Sequence, residues 1–116
     1  MNDNIDLSAL LAGVDGAAPR RLRVFALLGL GIVESLANGA LGTVDAVRIF
    51  FNVPNCLYVR TKLHDKVADE VMSRGVQLHD LFESLPEQEA QQEFQRELGK
   101  MRSLCLRLLD LHRAVA

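Results

Sequence analysis

The chain has 116 residues, 49% of them hydrophobic but only 5% aromatic, with no Trp and a formal net charge of −2. That length suits one domain with a real but modest core. The composition is too apolar for a disordered chain, lacks the Gly/Pro repeats of fibrous proteins, and lacks the basic surplus of a nucleic-acid wrapper.

Residues 1–18 hold a short apolar cluster (Ile5, Leu7, Leu10, Leu11 and Val14), closed by Gly13 and Gly16. This reads as an N-terminal arm with one or two helical turns docked by its leucines, ahead of a helical domain over 19–116. Pro19 suits the first turn of a helix running from about 20 to 38. The stretch from Val24 to Val33 is apolar around the whole circumference, so most of its faces need cover. Gly31, Ser35 and Gly39 recur at i, i+4, i+8, a smooth stripe that would admit a second helix, and Asn38-Gly39 supplies the stop.

Arg20-Arg21-Leu22-Arg23 followed by Val24–Val33 imitates a signal peptide, but Asp3, Asp6 and Asp15 precede it. The uncharged run stops at Glu34, and a carboxylate at mid-membrane costs about 2.5–3.5 kcal/mol, which opposes a transmembrane reading. Cys56 and Cys105 lie far apart among apolar neighbours and read as reduced core thiols. The expectation is a soluble, cytoplasmic protein.

Thr43 is placed to cap a short helix with Asp45 in its first turn and Val44, Val47, Phe50 and Phe51 as its apolar face. Asn52-Val53-Pro54-Asn55 breaks it. The next helix is expected to reach Arg74, with Leu63, Val67 and Val71 at i+4 steps and Gly75 as its stop. Leu78, Leu81, Phe82 and Leu85 add two further turns. Ser84-Leu85-Pro86-Glu87 matches a capping box opening a last helix over about 86–114. On it Phe94, Leu98, Met101, Cys105, Leu108, His112 and Val115 alternate at spacings of four and three, a heptad seam. The fold class is therefore all-α: a single-domain helical bundle of about four main helices plus the arm.

Chemistry-bearing patterns are thin. His64-Asp65, His79-Asp80 and Asp110-x-His112 echo helical metal hydrolases, but adjacent helix residues diverge by about 100° and cannot share one ion. Neither HExxH nor a Glu-x-x-His di-iron pattern is present. Gly29-Leu30-Gly31 opens like a dinucleotide fingerprint, yet Glu34 stands at the third glycine and no strand precedes it. No catalytic residue, cofactor or metal is expected, and Glu34 reads as solvent-facing or paired with an arginine.

Residues 43–62 scan like a helix-turn-helix, with Asn55, Tyr58, Arg60 and Lys62 as candidate DNA contacts. Arg48 at the helix crossing and Asn52 in the turn depart from that pattern, and the reading helix carries little phosphate-binding charge.

Leu28-Gly29-Leu30-Gly31-Ile32-Val33-Glu34-Ser35-Leu36-Ala37-Asn38-Gly39, followed by Thr43-Val44-Asp45-Ala46 and Phe50-Phe51-Asn52, carries a further signal. It resembles a family of small bacterial proteins of unknown function with an LGLI-x-S-L-x-N-G helix and an S-I-D-E-A cap. The tail from Leu78 through Leu109 is similar to the same family's acidic loop and final helix. The resemblance implies a bacterial, cytoplasmic helical protein and brings no catalytic residue with it.

The leading functional expectation is a non-enzymatic helical interaction protein that forms homo-oligomers. Gly31, Ser35, Leu98, Met101, Cys105, Leu108 and His112 would form its self-association interface. A sharper form is an adaptor or toxin-neutralising protein whose acidic segment 83–97 meets a basic partner. The alternative is a DNA-binding regulator using residues 43–62.

Overall fold

The structure is a computed structural model that describes residues 4–14 and 18–111. Its elements are six α-helices and one π-helical turn, with no strand among the described residues. Helix α1 (Leu7–Ala12) is short and begins where the Asp6 carboxylate accepts the Ala9 N–H at 3.1 Å. Its Leu7 and Leu11, one turn apart, are fully buried, so the N-terminal segment is part of the common core. Helix α2 (Ala18–Ala37) buries Leu22, Phe25, Ala26, Gly29, Ile32, Val33 and Leu36. It ends at Ala37, and the chain turns away at Gly39, whose φ of 82° only glycine adopts readily.

Helix α3 (Thr43–Ile49) starts from Gly42, not from Thr43 as expected. The Thr43 side chain is the first inside the helix, and its hydroxyl meets His79 Nδ1 at 2.9 Å instead of capping. Helix α4 (Val53–Tyr58) is capped by Asn52, whose side-chain oxygen accepts the Asn55 N–H at 3.0 Å, with Pro54 in the first turn. It runs on into the π turn Val59–Leu63, closed when the His64 N–H donates to the Val59 carbonyl at 2.9 Å. His64 then takes the left-handed conformation at φ 51°.

The expected single helix to Arg74 is thus two. Asp65 starts α5 (Lys66–Ser84) by accepting the N–H groups of Val67 and Ala68 at 2.9 and 3.0 Å. Helix α5 passes straight through Gly75, which does not stop it. The glycine is there because the Phe51 ring lies against it: a Cβ would sit 2.3 Å from the ring. Ser84 closes α5 and does not cap the next helix, because extended Leu85 separates the two. Helix α6 (Glu87–Leu111) opens one residue after Pro86, and His112 lies outside the described residues.

The core is α6 wedged against α2 and α5. The described members of the expected heptad seam, Phe94, Leu98, Met101, Cys105 and Leu108, are buried there, and Val115, like His112, lies outside the described residues. Gly29 lets the Cys105 sulfur approach α2, where a Cβ would stand 3.0 Å from Sγ. At the surface of this wedge Arg102 pairs with Glu34 at 2.6 Å, and Arg74 bridges α5 to Glu97 of α6 at 2.9 Å. Burial pushes the Glu97 carboxyl up, but hydrogen bonds from Lys100 and Arg74 outweigh it and hold the group below its usual range. Among the described residues, no helix is long and apolar enough to cross a membrane.

Candidate functional site

An apolar groove of about 640 Å³ runs between α4 and α5, with the end of α3 at its head. Its shape follows from three local events. Helix α3 stops at Phe50, and Phe51 turns inward onto Gly75. Asn52 then caps α4, so α4 leaves α3 in a new direction. Phe51 packs edge-on to Phe50 (centroids 5.2 Å apart), which stacks on Phe25 at 6.0 Å, and this ring series anchors the floor.

Buried Phe51 and Met72 line the bottom, with half-buried Val47 and Cys56 beside them. The rim is apolar too: Val53 is 79% exposed, Leu57 57% and Val76 44%. Val53 and Leu57 stand one turn apart on α4 and form a ridge along one side. Polar groups sit at the edges, where Arg60 faces Asp69 at 3.4 Å and Arg48 faces Asp45 at the same distance. Burial pushes the Cys56 thiol up, partly countered by the Arg60 charge and reinforced by Asp69. It therefore stands in the groove as a protonated, weakly nucleophilic contact group. Cys105, pushed up to about 11 by burial alone, is a core residue.

Asn55 holds the groove's α4 wall in place. It is 2% exposed, and its amide donates to the Ile5 carbonyl at 2.7 Å and the Phe50 carbonyl at 2.9 Å. Its oxygen accepts the Leu7 N–H at 3.1 Å, so one side chain ties the N-terminal segment, the α3 end and α4 together. Asn55 is consequently no DNA contact: every polar atom of its side chain points inward. Tyr58 leans on the core, and Arg60 is engaged with Asp69, while Lys62 is exposed. Helix, turn and helix are present over 43–63, but the set of four candidate contacts does not assemble on one surface.

The expected self-association set divides as well. Leu98, Met101, Cys105 and Leu108 face α2 and α5 of the same chain, which corrects their assignment to an intermolecular interface: the folded chain already covers them. The periodicity identified a buried face and was silent on which helix buries it. Gly31 is exposed with nothing within 4 Å of where a Cβ would lie, and Ser35 donates to the Gly31 carbonyl at 2.8 Å.

The two histidines among the described residues, His64 and His79, have separate partners. His64 turns its ring to the Arg60 carbonyl at 3.3 Å, and His79 sits between Thr43 and Glu83, its Nε2 3.4 Å from that carboxylate. Among the described residues no three His, Cys, Asp or Glu side chains gather as a metal site. In the acidic segment, Glu93 pairs with Arg96 and Glu97 with Arg74 and Lys100.

Sequence reading missed Val53, Leu57, Met72 and Val76 as a group. The usable signal was that Val53, Cys56, Leu57, Tyr58 and Val59 place apolar side chains around every face of one short helix, more than one core can cover. No family model, curated protein or solved structure matches the chain.

Proposed function

We propose that this chain is a non-enzymatic helical interaction protein that receives an apolar helix in the groove between α4 and α5. The observation that carries the reading is the exposure of Val53, Leu57 and Val76 around a floor of Phe51 and Met72. An exposed apolar surface with polar groups at its outer edges is the usual mark of a contact site. A groove with anchors one helical turn apart suits the face of an amphipathic helix. The lining offers contact, with Cys56 protonated and Asp69 engaged by Arg60.

The acidic segment supports a basic partner less well, since Glu93 and Glu97 already have cationic neighbours in the chain. The free thiols Cys56 and Cys105 suit a reducing compartment, and a bacterial cytoplasm is part of the proposal.

The test is photo-crosslinking with p-benzoylphenylalanine in place of Val53, compared with the same group in place of exposed Gln92 on α6. A discrete adduct from position 53 alone is expected, in the purified protein or in an extract of the host. Equal labelling from both positions, or none from either, would refute the groove as a contact surface.

A further inference from the structure

We infer that α4 is a releasable wall of the groove and that the N-terminal segment, residues 5–11, is the latch that holds it. The segment and α4 dock and release together, and the groove exists only while both are docked. This rests on the groove being a contact surface, as proposed above, and adds how that surface is controlled.

The observation that carries the inference is how little else fixes α4. Over Val53–Tyr58 the one buried residue is Asn55, a polar side chain, while Val53 and Leu57 are exposed. Beyond the turn that leads into α4, the Asn55 amide grips the Ile5 carbonyl at 2.7 Å and the Leu7 N–H at 3.1 Å, both in the N-terminal segment. Val53 and Leu57 each lie two residues from Asn55, about 200° round the helix, so the latch holds one face of α4 and the groove uses the other. A break stands at each end of this unit: Asn52 is extended ahead of α4, and the π turn closes on left-handed His64. Release can therefore spare α3 and α5, and it stops at the π turn, where Val59 and Leu63 are buried.

Both halves of the unit are too short to stand alone. Helix α1 and helix α4 have six residues each, and helices of that length do not persist in water without packing. The latch is helical because Leu7 and Leu11 are seated in the core, with further ties from the Ile5 N–H to the Ile49 carbonyl at 2.9 Å and from the Asp6 cap. Undocking it would leave the buried Asn55 amide without the Ile5 and Leu7 groups, a penalty that α4 escapes only by unwinding into water. A helix seated on Val53 and Leu57 would hold α4 in place and so tighten the latch, and a docked latch would tighten that helix by the same factor.

The experiment is amide hydrogen exchange, followed by NMR, on the purified full-length chain and on Asp6→Ala. Asp6 is exposed and its carboxylate caps α1 at the Ala9 N–H, so the variant weakens the latch without touching the core. In the natural chain the Leu7, Cys56 and Val59 amides, which donate to Asn55 or within α4, should share one protection factor. That factor should be lower by at least about 10-fold than that of Leu98 and Met101 in the α6 core. Asp6→Ala should speed exchange at all three amides by one common factor of about five-fold. Faster exchange at Leu7 with Cys56 and Val59 unchanged would overturn the latch, since α4 would then open while the segment stays docked. Protection of the three amides equal to that of the α6 core would overturn it too, by leaving no separate unit to release. The position-53 crosslink is read beside this. An adduct with uncoupled exchange keeps the contact surface and overturns the latch, whereas coupled exchange with no adduct overturns the contact surface and any control over it.

Discussion

Replacing Gly75 by alanine puts the packing of the groove floor under direct strain. In an exposed helix interior that exchange gains about 1 kcal/mol in helix propensity. At Gly75 the new methyl would lie 2.3 Å from two ring atoms of Phe51 and 2.5 Å from a third. Ordinary contact needs more than an ångström of additional separation, and Phe51 is confined by its edge-on partner Phe50 at 5.2 Å. Overpacking of this kind costs about 1–3 kcal/mol, and loosening the ring pair adds about 0.5–1.5 kcal/mol. After the propensity gain, Gly75→Ala should destabilise by about 1–3 kcal/mol and push Phe51 toward the groove. Urea unfolding followed by circular dichroism measures it, with Gly99→Ala on α6 as the control. At Gly99 a Cβ meets nothing within 4 Å, so the control should be stabilised by up to about 1 kcal/mol. If the two alanine variants were equally stabilised, the role given to Gly75 would be refuted.

Asn55→Ala leaves the Leu7 N–H and the Ile5 and Phe50 carbonyls without their partner, and should cost about 2–4 kcal/mol. Hydrogen exchange at the Leu7 amide should accelerate first, ahead of the α6 core. Asp65→Ala removes a cap that serves two N–H groups and should cost about 1–2 kcal/mol, with fraying at the start of α5 seen by NMR. Glu97 has a folded pKa below its unfolded value, so its contribution is present above the unfolded value of about 4.3 and is lost as pH falls through the lower folded value. Urea midpoints across that window should fall less steeply in Glu97→Gln than in the natural chain.

The all-α class and the extents of α2 and α6 were readable because aliphatic periodicity is a local signal. The break at His64–Asp65 was hidden by that same periodicity: Leu63, Val67 and Val71 keep i+4 spacing straight across it. Asp65 ahead of Val67 and Ala68 was the available cap signal. Gly75 looked like a stop because its actual partner, Phe51, arrives from a different element and leaves no local trace. The α6 seam was correctly a buried face, but a single helix cannot tell whether its cover comes from the same chain or another. Asn55 resembled a surface residue for a related reason: its carbonyl partners at Ile5 and Phe50 meet only in the folded chain. The groove escapes because Val53 falls in the Asn52-Val53-Pro54-Asn55 break, and only the folded chain brings it and Leu57 beside Phe51, Met72 and Val76.

Photo-crosslinking with p-benzoylphenylalanine in place of Val53, beside the same group in place of Gln92, bears most directly on the groove between α4 and α5 as a contact surface. Val53, 79% exposed, stands on the groove's edge, whereas Gln92 on α6 is exposed outside it. A discrete adduct from position 53 alone is the predicted result. Equal labelling from both positions, or none from either, would contradict the account.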